Sequence, residues 1–452
     1  MIELKGKRAL VLGLGVSGVS AVKALDKLGA SVVVSDSKDI DELQEYTEQL
    51  KDLKIGFCLG SNNALHGIFD FVIKSPGIPL DIPILDMARE RGVEIMTDIE
   101  LVDRLFPNKI VAITGTNGKT TTTCLTGEMI EAQGIETHIM GNVGVGALWE
   151  ATQRQDDDDV FVIEASSFQL ESTTEFKPDV GVILNFSPDH LSWHGSYEAY
   201  ISAKSKMLER QTEEDFAVLN YDDDDVRKLG EKVKSKVIYF SQKTPIQNGI
   251  YLSGDFIIYN NGESDTEIVN VKNLNIVGNH NYQNAMAAAG IAVALGLDFD
   301  LVRKSFEQFN AVEHRLEFVK EIDGVSFYND SKGTNPDSSI KALEAMKSST
   351  ILIAGGYDKG SEFDDYIKAF DGKVKHMFVM GETADQIIRT AEKYNFNEYS
   401  RVENMDEAVE KAWNIAENSD IVLLSPACAS WGMYDNYEQR GKHFKKLVEN
   451  LR

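Results

Sequence analysis

Residues 110–130 constrain this chain more than any other stretch. An apolar run, Ile110-Val111-Ala112-Ile113, leads into Thr114-Gly115-Thr116-Asn117-Gly118-Lys119-Thr120-Thr121-Thr122, then into a helical pattern carrying Leu125, Met129 and Ile130. A strand, a glycine turn and a helix opening on Lys-Thr are the parts of a phosphate-binding loop. In such a loop backbone N–H groups and the helix N-terminus hold phosphate oxygens. Gly115, Thr116, Asn117, Gly118, Lys119, Thr120 and Thr121 are therefore candidate nucleotide ligands, Lys119 as a point charge and Thr120 as a hydroxyl ligand for Mg²⁺. The loop departs from the general pattern at Ile113, where a first glycine is usual. A lysine opening a helix is unfavourable against the helix dipole unless an anion is present, so a nucleoside triphosphate is expected here.

With 452 residues, the chain is long for one core and predicts about three domains. The net charge of −26, with no Lys/Arg-rich block to offset it, argues against nucleic-acid backbone binding. The acidic runs Asp156–Asp159 and Asp222–Asp225 read as solvated loop tips. Cys58, Cys124 and Cys428 are widely separated and lack metal-ligand spacing, which fits buried thiols in a reducing compartment. The start, Met1-Ile2-Glu3-Leu4-Lys5-Gly6, lacks the apolar region of a signal peptide, and no apolar run is long enough to span a bilayer. A cytoplasmic location without membrane insertion is expected.

Apolar runs at Ala9–Leu12, Val32–Val34 and Phe71–Ile73, separated by helical patterns, predict a first parallel α/β unit. A second begins near residue 98, with further strands at Val160–Ile163, Val180–Leu184 and Phe216–Leu219 and helices near 197–210 and 280–295. Residues 249–271 read as β-hairpin material turning at Asn260-Asn261-Gly262. The third unit begins near 312, with strands around Val325–Tyr328, Ile351–Ile353, Met377–Met380 and Ile421–Leu424.

Several constellations carry chemistry. Gly13-Leu14-Gly15-Val16-Ser17-Gly18 follows the first strand and opens a helix, and Asp36 ends the second strand. That dinucleotide fingerprint serves an NAD(P) oxidoreductase or any nucleotide diphosphate, since glycines and helix terminus recognise the pyrophosphate. Glu164 ends the strand Val160–Ile163 and is placed for Mg²⁺. Asp189-His190 follows another strand, and His190 is a candidate ligand or proton carrier. Tyr200 and Lys204 share one helix face, where a lysine is ordinarily solvated. In the third unit, Asn329–Pro336, Gly355–Gly360 and Ser425–Trp431 all occupy strand-to-helix turns. Ligands bind at the carboxyl ends of parallel strands, so these three turns predict one site.

Together these motifs resemble the Mur ligases, ATP-dependent enzymes of peptidoglycan precursor synthesis. The resemblance spans the chain: GTNGKTT at 115–121, GNVG at 141–144, EASSFQLE at 164–171, SPDH at 187–190, YISAK at 200–204, GNHNYQNA at 278–285, EHR at 313–315, NDSKGTN at 329–335 and SPACASWGMYDNYEQRG at 425–441. The last motif and the first glycine loop favour the branch that adds D-glutamate to UDP-N-acetylmuramoyl-L-alanine. The implied α/β fold has three domains: a Rossmann-like UDP-binding domain (1–97), a central P-loop ATPase-type domain (98–311) and a C-terminal Rossmann-like amino-acid-binding domain (312–452).

The resemblance also implies roles. Ser17, Asp36, Ser37 and Gly77 match UDP-contacting positions, and Asn142 a substrate contact near the phosphates. Lys119 and Thr120 would hold ATP and Mg²⁺, with Asn281, Arg315 and Asp330 contacting the nucleotide. Glu164 and His190 match ligands of two Mg²⁺ ions, and Lys204 matches a lysine carbamylated by CO₂ beside them. Lys332, Thr334, Lys359, Ser430 and Tyr437 match the D-glutamate pocket. The catalytic candidates are Lys119, Lys204, His190 and Lys332, in a protein expected to be monomeric.

Overall fold

The structure, a computed structural model, describes residues 3–60, 67–143, 146–276, 278–310, 312–358 and 360–451. Lys359 and Gly144, named above, lie outside the described residues. Three sheets organise the chain. The first holds β1 (Arg8–Leu12), β2 (Ser31–Asp36), β3 (Gly56–Leu59), β4 (Phe71–Lys74) and β5 (Glu94–Met96), all parallel in the order β3-β2-β1-β4-β5. The central strands β1, past its exposed first residue Arg8, and β4 are buried, which is why they read as unbroken apolar runs rather than alternating ones. The helix Val16–Lys27 crosses back with Ala21, Val22 and Leu25 buried. Strand order reverses between β1 and β4, which opens the crevice where ligands settle in such sheets.

The second sheet holds β6 (Lys109–Thr114), β7 (Thr137–Gly141), β8 (Val160–Glu164), β9 (Val180–Ile183), β10 (Phe216–Asn220), β11 (Lys236–Ser241), β12 (Gly249–Ser253), β13 (Phe256–Asn260) and β14 (Asp265–Asn270). Its order is β14-β13-β12-β11-β10-β9-β6-β8-β7. Pairing is parallel from β7 to β12, and β12, β13 and β14 form an antiparallel meander around the expected Asn260–Gly262 turn. The order places β6 between β8 and β9. The phosphate loop, which follows β6, is thereby bounded by the ends of the strands that carry Glu164 and precede Asn185.

The first two sheets belong to one compact unit, residues 1–186, 197–272 and 283–307. The helix Asp98–Leu105 joins them: the buried Glu100 accepts from the Thr174 N–H (3.0 Å), the Thr174 hydroxyl (2.8 Å) and the Glu175 N–H (2.8 Å). The Ser20 hydroxyl donates to the Gly146 carbonyl at 2.8 Å, tying the first-domain helix to the second sheet's side.

The third sheet holds β15 (Glu317–Ile322), β16 (Val325–Asn329), β17 (Thr350–Gly355), β18 (Val374–Met380), β19 (Tyr399–Arg401) and β20 (Ile421–Leu424), in the order β15-β16-β20-β17-β18-β19. Its pairs are parallel except the β15–β16 hairpin. It belongs to a second compact unit, residues 187–196, 273–282 and 308–452. Two short segments of the expected central domain therefore group with the C-terminal residues.

In the acidic runs Asp156, Asp157, Asp158 and Asp224 are exposed as expected, and others depart from that expectation. Asp159 is buried: its Oδ2 accepts the Gln155 N–H at 2.7 Å and faces His138 Nε2 at 3.2 Å. Asp223 caps the helix Asp224–Gly230, and Asp222 accepts from the Ser241 hydroxyl at 2.6 Å. Short carboxylates satisfy loop and helix-end N–H groups that water would otherwise hold. Among the cysteines, Cys428 is buried, whereas Cys58 and Cys124 are half-buried.

Candidate active site

The phosphate loop is held by its neighbours. Asn185, just past β9, accepts the Asn117 N–H on Oδ1 (2.9 Å) and donates Nδ2 to the Asn117 carbonyl (3.1 Å), while its own carbonyl accepts the Thr116 N–H at 3.0 Å. An amide pairing both backbone groups of one residue acts as a one-residue strand partner. Gly118 caps the helix Lys119–Glu131 with φ +87°, and a Cβ there would lie 2.3 Å from Asn284 Oδ1. Glycine satisfies both demands. The Lys119 ammonium lies over the loop, donating to the carbonyls of Gly115 (3.0 Å) and Thr116 (2.8 Å).

Glu164 ends β8 fully buried. Its Oε2 accepts the Thr120 hydroxyl at 2.8 Å, and its Oε1 accepts the Asn142 amide at 3.0 Å. A carboxylate and a hydroxyl meeting at the loop are hard oxygen donors of the kind Mg²⁺ takes, so the residues present fit that ion. Lys204 is also buried, on the helix Tyr197–Glu209. Its ammonium donates to the Thr114 hydroxyl (3.1 Å) and the Gly115 carbonyl (2.9 Å) and stands 5.0 Å from the Tyr200 ring centroid. The Tyr200 hydroxyl in turn meets the Thr116 hydroxyl at 2.9 Å. The structure thus gathers Lys119, Thr120, Asn142, Glu164 and Lys204 around one loop.

In the first sheet the glycine loop and the turn after β4 lie side by side. The Ser75 hydroxyl donates to the Gly13 carbonyl at 3.0 Å, and a Cβ at Gly18 would meet that carbonyl at 2.1 Å. Asp36 accepts the N–H groups of Leu14 (2.7 Å) and Lys38 (2.9 Å), fixing the loop's entrance. Ser17 is half-buried; Ser37 and Gly77 are exposed at the same strand ends.

In the C-terminal unit, β16, β20 and β17 are consecutive neighbours, so their three polar turns adjoin. The Ser425 hydroxyl donates to Asp330 Oδ2 at 2.7 Å, and the Tyr357 N–H donates to the Ala429 carbonyl at 2.9 Å. Burial pushes the Asp330 carboxyl up to about 6, opposed by the Arg315 guanidinium and the Ser425 hydroxyl. The Lys332 N–H donates to the His314 carbonyl at 3.0 Å, and its ammonium stands 5.2 Å from the Tyr437 ring centroid. Ser430 is buried and Thr334 half-buried. Asn281, buried, follows His280, whose imidazole burial and the Arg315 and Lys341 cations hold down to about 3. His190 has the left-handed φ of +54° and its N–H donates to Asp189 Oδ1 at 2.9 Å.

Sequence reasoning missed three residues. Asn185 lies just past an apolar run with nothing local to mark it, and its pairing with Asn117 becomes visible once β9 is known to flank β6. Arg440, buried, donates to the Ser331 hydroxyl and carbonyl and to the Cys428 carbonyl, clamping two turns together. His314 faces Asn329 Nδ2 at 2.8 Å through Nδ1 and carries φ +67°. Among the described residues Glu313, His314 and Glu317 come close enough to share a cation, but Lys445 already bridges both carboxylates.

Comparison with known proteins matches all three regions to described families: a Mur ligase MurD-like N-terminal domain at 7–97, a Mur ligase middle domain at 113–292 and a Mur ligase glutamate ligase domain at 314–428. The chain is 50% identical to a UDP-N-acetylmuramoylalanine–D-glutamate ligase from Alkaliphilus oremlandii and 47% identical to one from Alkaliphilus metalliredigens, each match covering all of both chains. A solved UDP-N-acetylmuramate–alanine ligase from Thermotoga maritima superposes with TM-score 0.63 at 20% identity, covering 98% of this chain and 99% of that one.

Proposed function

Because the chain belongs to the Mur ligase family, we propose that it joins D-glutamate to UDP-N-acetylmuramoyl-L-alanine, using ATP, in peptidoglycan precursor synthesis. The observation that carries the chemistry is the buried Thr120–Glu164 pair at a phosphate loop opened by Lys119. The specificity rests on full-length likeness to ligases of that name.

In this reading the carboxylate oxygen of the L-alanine residue attacks the γ-phosphorus, ADP leaves, and an acyl phosphate forms. The neutral amine of D-glutamate then adds to the acyl carbon. The nitrogen loses a proton, the tetrahedral intermediate collapses, and the C–O bond to phosphate breaks. Every reactant is an anion, so the residues' task is to bring negative charges together. Lys119 exchanges its loop carbonyls for phosphate oxygens, the loop N–H groups hold the triphosphate, and Lys332 faces the D-glutamate carboxylates with Thr334, Lys359, Ser430 and Tyr437. Donors aimed at developing charge are worth roughly 3–4 kcal/mol each.

Thr120, Glu164, His190 and Lys204 are the residues we assign to holding Mg²⁺, one ion at Glu164 and a second at His190. Bound there, Mg²⁺ would neutralise phosphate charge. Carbamylation of Lys204 would replace a buried cation by an anion beside the phosphate loop; its burial is what supports that assignment. Ser17, Asp36, Ser37 and Gly77 would hold UDP, Asn142 the substrate near the phosphates, and Asn281, Arg315 and Asp330 the adenine nucleotide. We place the domain limits at 97/98 and 311/312. None of the described helices is long and apolar enough to cross a membrane, and we read the protein as a cytoplasmic monomer.

Oxygen transfer tests the mechanism. With ¹⁸O in the L-alanine carboxylate, turnover should deliver one labelled oxygen to inorganic phosphate. Unlabelled phosphate would exclude the acyl phosphate.

A further inference from the structure

Lys74 is a lysine with a side chain almost wholly inside the protein, at 1% exposure. It ends β4, at the point where the strand order of the first sheet reverses. Its ammonium donates to three carbonyls of the turn that follows: Ile78 at 2.7 Å, Pro76 at 3.3 Å and Ser75 at 3.4 Å. A –NH₃⁺ group has three donors, so one side chain satisfies three inward-pointing carbonyls. Two of the turn's N–H groups are also used, Ser75 on the Leu12 carbonyl (2.9 Å) and Ile78 on the Ser75 carbonyl (3.1 Å). Pro76 and Pro79 have none. Among the described residues Gly77 keeps the turn's remaining N–H. A Cβ at Gly77 would meet nothing within 4 Å, so the fold itself does not call for glycine there. Close approach of a ligand would.

We infer that Lys74 is a positioning residue for a nucleoside diphosphate: its buried ammonium gathers the carbonyls of the Ser75–Ile78 turn inward and leaves Gly77 facing the ligand. The inference rests on the reading of the first domain as the UDP site. Three carbonyl dipoles left unpaired beside a diphosphate would repel it. A cation beneath them reverses the sign of the local field, and low dielectric strengthens the effect. Burial works against the charge and lowers Lys74 to about 8, while Glu171 and Asp98 favour the protonated form. Those two acids face it from the ends of the helices Ser167–Leu170 and Asp98–Leu105. Lys206, from the helix Tyr197–Glu209, donates to the Glu171 carbonyl at 2.5 Å.

Calorimetric titration of UDP-N-acetylmuramoyl-L-alanine into wild type and Lys74→Met, over a pH series and beside ADP as control, tests this. Methionine keeps the stem and removes the charge. The variant should bind the UDP compound about tenfold or more weakly, as loss of charged hydrogen bonds implies, with ADP affinity unchanged. Wild-type affinity should fall as pH rises through about 8, and the variant's should stay level. Equal binding by both proteins across the series would overturn the inference and leave the UDP reading intact, as would equal loss of ADP and UDP-compound binding. No binding by wild type would overturn the UDP reading itself, and the inference with it. The wild-type pH series tests the same point without any variant.

Discussion

Replacing Asn185 by alanine should loosen the phosphate loop by an amount the structure allows to be worked out. The side chain makes two hydrogen bonds, at 2.9 and 3.1 Å, to the N–H and carbonyl of Asn117, which is 7% exposed. The third link, Thr116 N–H to the Asn185 carbonyl, is backbone to backbone and survives. A buried polar group left unpaired costs about 1–3 kcal/mol, and water entering the vacated space recovers part of it. The two groups together therefore destabilise the loop by about 2–4 kcal/mol. The loop can shed that energy by rearranging locally, so the larger share falls on ATP binding, where each 1.4 kcal/mol is about tenfold. Steady-state phosphate release should give a KM for ATP raised about tenfold or more, with the KM for D-glutamate little changed. Urea unfolding should give a modest loss of stability. Asn185→Asp should be worse for ATP, because it keeps the acceptor but turns a carboxylate oxygen toward the Asn117 carbonyl and adds a negative charge beside the phosphates. An Asn185→Ala protein with wild-type ATP kinetics and wild-type unfolding midpoint would refute the reasoning.

Three further outcomes follow from the geometry. Lys119→Ala should nearly abolish turnover while far-UV circular dichroism and the unfolding midpoint stay close to wild type; a fully active variant would contradict the loop assignment. Gly118→Ala should weaken ATP binding and lower stability, since φ is +87° and the new methyl would overlap Asn284 Oδ1; left-handed alanine costs about 1 kcal/mol before any clash. Lys74→Met removes both the buried charge and its bonds to three turn carbonyls, so the two proteins should differ most in how their stability depends on pH. The fall from 10.5 to about 8 corresponds to about 3 kcal/mol lost to burying the charge. Because the folded state releases this proton before the unfolded state does, wild-type stability gains relative to the variant as pH rises from about 8 toward 10.5, and unfolding curves of both proteins at paired pH values measure that gain.

Local pattern carried the phosphate loop, because strand, glycines, Lys119 and Thr120 are contiguous and each has a local physical reason. Glu164 was equally legible as the last residue of an apolar run, and the structure ends β8 on it. Asn185 was not, since its role depends on β9 lying against β6 in a sheet whose order departs from chain order. Lys204 sits on a helix face where a lysine is ordinarily solvated; only packing of that helix against the loop buries it, and resemblance alone singled it out. Lys74 was hidden for the opposite reason, as a charged residue ending an apolar run that gives no sign the charge is also buried. Three of the strands that sequence pattern overlooked, β3, β5 and β19, are short sheet edges, whereas β11 lies inside its sheet and carries the apolar run Val237–Phe240. Chain order likewise gave no hint that residues 187–196 and 273–282 group with the C-terminal residues.

Amino-acid-dependent phosphate release tests the central claim most directly. ATP, Mg²⁺ and UDP-N-acetylmuramoyl-L-alanine are supplied, and D-glutamate, L-glutamate, L-alanine, L-lysine and meso-diaminopimelate are added one at a time. Release with D-glutamate alone is the predicted result. Release driven by another of these amino acids, or no release with any of them, would contradict it.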